Sequence, residues 1–157
     1  MQQNILIIKE KYSNMKMILS GSRAIKHHYP DFPREPKDWD FIVSEPGLKS
    51  NIKGVEYKHI PPLLSNTYYI DEILEPDLLF TLKCSHMFWD SNWEKHFNDI
   101  IFLNKKGCSI YPILFRELFT YWESKFGPRK ASDLTLPKDS FFANKIAQKY
   151  DHDKLHE

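Results

Sequence analysis

Met15-Lys-Met-Ile-Leu-Ser-Gly-Ser-Arg-Ala24 and, after an interval of 15 residues beyond Ser22, Asp38-Trp-Asp-Phe-Ile-Val43 decide how this chain folds. The first is an apolar run that stops abruptly at Ser20-Gly21-Ser22, the pattern of a strand ending in a tight turn. The second alternates with a period of two, which places Asp38, Asp40 and Ile42 on one side of a strand. Two carboxylates at i and i+2 of a strand share a face, and hard oxygen donors suit Mg²⁺ or Mn²⁺. A Gly-Ser turn lets backbone amides and a hydroxyl approach phosphate oxygens with no side chain in the way. Taken one at a time, D-x-D and Gly-Ser occur by chance in most chains of this length, as a solvated strand end and an ordinary turn. In this order they predict a site for phosphate and divalent metal.

Outward from this pair, Asn4 to Ile8 and Met15 to Leu19 read as two strands or as a helix leading into a strand, and Val55 to Ile60, closed by Pro61-Pro62, as another strand. Tyr29 to Pro36 carries Pro30, Pro33 and Pro36 and cannot be regular helix. From Pro76 the period changes to that of helices. A helix is predicted from Pro76 to about Trp89, a second from about Asn92 to Leu103 and a third from Pro112 to Lys125, stopped by Gly127-Pro128. A loop with Pro137 and one more helix over Phe141 to Tyr150 complete the chain. Strands first and helices second predict an α+β domain. The expected organisation is a core over residues 1–103 with a C-terminal helical extension over 104–157 packed on it as a single unit.

The first of these helices is mostly apolar but keeps a polar stripe of Lys83, His86 and Asp90, which predicts that the stripe faces a polar site. Lys95 and Asp99 form an expected i, i+4 pair on the next helix. His152 and His156 have the i, i+4 spacing of two metal-binding imidazoles, weighed against a polar chain end. Lys105, Lys106, Lys125, Arg129 and Lys130 are a solvated rim, or a polynucleotide contact if they share a face with Asp38.

Composition narrows the classes. Of 157 residues 41% are hydrophobic and 15% aromatic, ample for a core. A formal charge of +1 is too small for general attraction to nucleic acid or anionic lipid. No apolar run approaches the roughly 20 residues needed to span a bilayer, so no membrane partner is expected. The two cysteines, Cys84 and Cys108, lack C-x-x-C spacing and a leader-like stretch before them, which fits a reducing, cytoplasmic setting.

Leu19-Ser-Gly-Ser-Arg-Ala24 followed by Lys37-Asp-Trp-Asp-Phe-Ile-Val43 resembles the hallmark of the nucleotidyltransferase superfamily of the DNA polymerase beta type, in which h-G-S-x-A leads to a D-x-D strand. Leu82-Lys-x-Ser-His86 and Trp93-x-Lys95-His96-x-x-Asp99-Ile100-x-Phe102-Leu103 are similar to the downstream helices of its small phage-type or bacterial stand-alone members. The resemblance covers about residues 17–103. It implies a mixed β-sheet flanked by helices and Mg²⁺ (or Mn²⁺) held by Asp38, Asp40 and a third carboxylate. Gly21 and Ser22 would meet the phosphates of a nucleoside triphosphate such as ATP. Glu56 is the expected third acid, with Asp71 or Glu72 competing. Arg23, Lys83 and His86 are further candidate nucleotide-binding residues, each weighed against a structural role, as is His96. The interval between Ser22 and Asp38 is longer than the family's usual spacing. The implied activity is transfer of a nucleoside monophosphate from an NTP to an acceptor hydroxyl of RNA, protein or a small molecule, with release of pyrophosphate. Two other expectations stand beside it: a catalytically inactive nucleotide- or nucleic-acid-binding module of the same fold, and a toxin–antitoxin or phage-defence component that modifies tRNA or protein.

Overall fold

A computed structural model describes residues 16–64, 72–90 and 93–128. The expected strand or helix at Asn4 to Ile8, the helix at Phe141 to Tyr150, Asp71, Arg129, Lys130, His152 and His156 lie outside them. The chain divides into two compact units, Met1–Glu75 and Pro76–Glu157. The break falls where strand-forming sequence gives way to helical sequence, ahead of the boundary expected after Leu103.

The first unit is built on a mixed three-stranded sheet, β1 (Met17–Ser20), β2 (Trp39–Val43) and β3 (Val55–Lys58), in that spatial order. Strand β1 runs antiparallel to β2, with Leu19 opposite Phe41 and Ser20 opposite Asp40. Strand β3 runs parallel to β2, with Asp40 opposite Glu56. The other edge of β1 is also covered: Leu19 N donates to Glu72 O (2.7 Å) and Leu74 N donates to Leu19 O (2.9 Å), a parallel bridge centred on Ile73. Because β2 is central, Trp39, Phe41, Ile42 and Val43 are buried on both faces and only Asp40 is half-exposed. Edge strand β3 instead exposes Glu56 and Lys58, charges that discourage pairing with a further chain.

Helix α1 (Gly21–His28) follows β1 without a connecting residue and buries Ala24 and Ile25 completely. Its last turn carries Lys26, a cation that complements the negative end of the helix dipole, beside His27 and His28. His28 Nε2 donates to Leu74 O (2.9 Å), tying the end of the helix to the segment that pairs with β1.

The second unit is helical: α2 (Pro76–His86), a 3-10 turn (Met87–Trp89), α3 (Trp93–Lys105) and α4 (Pro112–Phe126). Pro76 and Pro112 stand at first helical positions, where the missing N–H removes nothing. Gly127, at φ 89°, closes α4 with its N–H on Glu123 O (2.8 Å). Helix α2 packs against both α3 and α4, which is why Leu78, Leu79, Phe80, Thr81, Cys84 and Ser85 are all buried. The two hydroxyls among them are satisfied. Ser85 Oγ donates to Leu82 O (2.8 Å) and accepts from Trp122 Nε1 (3.0 Å). Thr81 Oγ1 donates to Asp77 O (2.7 Å) and accepts from Tyr111 N (3.0 Å), fastening the approach to α4 onto α2. Replacing Thr81 by the isosteric Val removes the acceptor of the Tyr111 N–H at a fully buried position, so Thr81→Val is expected to destabilise by about 1–3 kcal/mol. Thermal unfolding of the variant checks this, and an unchanged midpoint would show that the hydrogen bond does not hold the loop. Cys84 and Cys108 are buried and form no disulfide. No helix among the described residues is long and apolar enough to cross a membrane.

Candidate functional site

The turn between β1 and α1 meets the start of β2. Gly21 has φ 67°, a conformation that L side chains rarely adopt, and Asp40 packs directly on it: a Cβ at Gly21 would collide with Asp40 Oδ2 and lie 3.1 Å from Asp40 Cβ. Two independent demands therefore select glycine there. Ser20 stands at the N-cap of α1 but its side chain does not cap the helix. Its Oγ donates to Asp40 O (3.2 Å) instead, a second tie between the turn and β2. Ser22, in the first turn of α1, is buried at 9% exposure.

Sheet register brings the acids into relation. Ser20, Asp40 and Glu56 are opposite one another on β1, β2 and β3, so they form one cross-strand row on one face of the sheet, with adjacent strands about 4.8 Å apart. Glu72 precedes the residue bridged to Leu19, so it falls opposite Ile18, outside that row and beyond β1 from Asp40. Register thus prefers Glu56 to Glu72 as a neighbour of Asp40. Asp38, which the alternation placed on the strand, is not a strand residue: β2 begins at Trp39, and Asp38 sits exposed at the bend before it, with Oδ1 3.9 Å from where a Cβ of Gly54 would stand. Trp39 N donates to Gly54 O (2.7 Å), which joins the loops that lead into β2 and β3. None of the ion pairs among the described residues involves Asp38, Asp40 or Glu56. The backbone aligns these carboxylates without gathering them: among the described residues, no three His, Cys, Asp or Glu side chains form a group that could hold a metal ion.

Arg23 is engaged with protein. Its Nε donates to Asp38 O (3.0 Å) and its Nη2 to Lys37 O (3.2 Å), while the guanidinium lies 4.1 Å from the centre of the Trp39 ring.

Lys83 and His86 belong to the second unit. In sequence, Lys83 looks like a phosphate ligand because its ammonium has no evident partner on an apolar helix. The structure supplies the partner: Lys83 Nζ pairs with Asp99 Oδ2 at 3.1 Å, with the two side chains 10% and 4% exposed. Asp99 is therefore drawn to Lys83 on α2, whereas the sequence pattern paired it with Lys95, which is exposed. Lys83 Nζ also donates to His96 Nδ1 (3.2 Å), and His96 Nε2 lies 2.8 Å from Asp90 Oδ2. An ammonium has only donors, so Nδ1 must accept, which makes His96 the neutral Nε2–H tautomer that donates to Asp90. His86 Nδ1 reaches the same Asp90 oxygen at 3.7 Å, and its ring stands edge-on to Trp122 with centroids 4.6 Å apart. The expected polar stripe is thus a connected chain, Asp99–Lys83–His96–Asp90–His86, graded from buried to half-exposed. Sequence reasoning assigned Asp99 to Lys95 and so missed its pairing with Lys83 and the linking role of His96. The signal for the pairing was a single cation on the mostly apolar helix from Pro76.

A family model described as a domain of unknown function, DUF7277, matches residues 17–111, and a second, DUF7275, likewise a domain of unknown function, matches residues 78–157. The chain belongs to both families. The DUF7277 match starts at the first residue of β1 and takes in the Gly21-Ser22 turn, Asp38, Asp40, Glu56 and the whole charged chain from Lys83 to Asp99. The DUF7275 match starts inside α2, and the two share residues 78–111, the segment that holds most of α2, all of α3 and that charged chain. No curated protein and no solved structure matches.

Proposed function

We propose that this member of DUF7277 is a Mg²⁺-dependent nucleotidyltransferase, carrying a nucleoside monophosphate from an NTP to an acceptor hydroxyl. The observation that carries the reading is the seating of Asp40 on Gly21: a carboxylate strand held against a side-chain-free turn at the first residue of a helix, with Glu56 in register beside it. The mixed sheet agrees with the arrangement that the resemblance implied. The donor set is wholly carboxylate, the chemistry that Mg²⁺ prefers, and Asp38, Asp40 and Glu56, which are not gathered into a metal-holding group in this structure, are the residues that would have to converge to hold it. Bound there, the ion supplies Lewis-acid stabilisation of the phosphoryl group and activation of the acceptor hydroxyl. The protein's own part is to expose the first amides of α1, where Ser20 leaves them without a side-chain cap, toward phosphate oxygens. Gly21 lets the triphosphate approach the backbone closely, and β2 keeps Asp40 beside that approach. The reduced thiols Cys84 and Cys108 fit a cytoplasmic setting, with RNA, protein or a small molecule as acceptor.

The test is metal-dependent pyrophosphate release from each NTP, by wild type and by the Asp38→Ala, Asp40→Ala double variant. Wild type is expected to release pyrophosphate only with Mg²⁺ or Mn²⁺, and the double variant to lose at least about a hundredfold, on the order of the loss for removing a group that stabilises transition-state charge. Equal release by both proteins would overturn the assignment. Binding of NTP by wild type without release would instead assign a binding module that keeps the site.

A further inference from the structure

We infer that Arg23 is a positioning residue for Asp38, coupling the phosphate-facing turn of α1 to the metal-facing end of β2; this deepens the nucleotidyltransferase reading and rests on it. Asp38 lies outside the β ladder, exposed at a bend, so strand pairing alone does not set where its carboxylate stands. What holds its backbone is the hydrogen bond of the next residue, Trp39, to Gly54 and the two donors of Arg23, on Asp38 O at 3.0 Å and Lys37 O at 3.2 Å. A planar fork can reach two successive carbonyls while it stacks on a ring, and Arg23 does all three, with its guanidinium 4.1 Å from the Trp39 centroid. Arg23 is also the residue after Gly21-Ser22, so any displacement of that turn is carried through the guanidinium to Asp38. With Nε and Nη2 spent on backbone carbonyls, Arg23 acts through Asp38 and not by binding phosphate itself. Lysine cannot replace it, since a single ammonium has neither the fork nor the flat face.

The experiment is Mn²⁺ titration of the full chain, followed by the electron paramagnetic resonance of the free ion, for wild type, Asp40→Asn, Arg23→Ala, Arg23→Lys and Lys26→Ala. Lys26 is the control from the same helix: its Nζ donates to Phe32 O (2.9 Å) and pairs with Glu35 (3.4 Å), so its loss loosens a loop of this unit without touching Asp38. Wild type is expected to bind Mn²⁺ and Asp40→Asn to lose binding. Both Arg23 variants are expected to weaken affinity by about 10–100-fold, the usual effect of removing a group that orients a metal ligand. Lys26→Ala is expected to lower the unfolding midpoint and leave affinity unchanged. Arg23→Lys, which keeps the charge, carries the test should Arg23→Ala not fold. Wild-type affinity in Arg23→Lys, or equal weakening in Lys26→Ala, overturns the positioning role while the nucleotidyltransferase reading stands. No Mn²⁺ binding by wild type, alone or with a non-hydrolysable NTP analogue, removes the reading and the inference together.

Discussion

Asp99→Ala is expected to destabilise the helical unit by about 3–5 kcal/mol, because it strips a buried ammonium of its counter-ion. The reason lies in what is left behind. Lys83 is only 10% exposed and Asp99 Oδ2 stands 3.1 Å from its Nζ, so the substitution removes a carboxylate in direct contact with a nearly buried ammonium. A desolvated charge without its opposite either unfolds its surroundings or loses its proton. The same physics predicts that the pair contributes little as a pair. Replacing both partners, as in Lys83→Met with Asp99→Leu, removes the buried charges together, and the double variant is expected to lie within about 1–2 kcal/mol of wild type. His96 would then lose the donor to Nδ1 but keep Asp90 at 2.8 Å. Denaturant unfolding followed by far-ultraviolet circular dichroism decides it. A single Asp99→Ala variant that unfolds at the wild-type denaturant concentration would mean that water reaches Lys83 and that the pair is a surface interaction.

Gly21→Ala is expected to abolish metal-dependent nucleotide binding while the protein stays folded. Two separate penalties apply at this position. A non-glycine residue at φ 67° carries strain of about 1–3 kcal/mol. The new methyl also meets Asp40, and turning the carboxylate does not clear it, because Asp40 Cβ and Cγ lie 3.1 and 3.2 Å from the same point. Either β2 or the start of α1 must shift, and both are parts of the site. Gly47→Ala separates the two penalties. Gly47 has φ 76° in the same unit, and a methyl placed on it would meet nothing within 4 Å, so it carries the strain and no collision. Thermal shift with an NTP and Mg²⁺ is the measurement: Gly47→Ala is expected to lower the unfolding midpoint and keep the ligand-induced rise, Gly21→Ala to lose the rise. If both variants keep it, Asp40 is not held where nucleotide chemistry needs it.

The helices and strands of this chain were readable because their signals are local. Pro76, Pro112 and Gly127 are punctuation whose effect depends on the backbone at that residue; α2, α3 and α4 begin, and α3 and α4 end, within about two residues of where they were expected. Two departures stand out: α1 over Gly21–His28, which the sequence reading did not predict, and the last turn of the helix from Pro76, which tightens to 3-10 geometry over Met87–Trp89. The abrupt end of the first strand at Ser20-Gly21-Ser22 was equally plain, since glycine between two serines breaks the apolar run. Partnership was a different matter. Lys95 and Asp99 fit a helical pair by spacing, yet Asp99 is 3% exposed and Lys95 is exposed, so burial and not spacing chose Lys83.

Local sequence was enough for strands ahead of three helices from Pro76 onward, the α+β class, the Gly-Ser turn ahead of an acidic strand, and the presence of a polar stripe on an apolar helix. Each of these follows from properties carried within a few residues: period, side-chain volume, and the φ preferences of Gly and Pro. It took packing in three dimensions to stand Glu56 in one row with Asp40, to leave Asp38 just outside the strand, to bring Arg23 onto Asp38 and Trp39, and to answer Lys83 with Asp99. Those facts depend on strand register and on which helix faces meet. Register is set by how whole apolar faces close against each other, an energy summed over residues far apart in the chain, and no short stretch of sequence contains it.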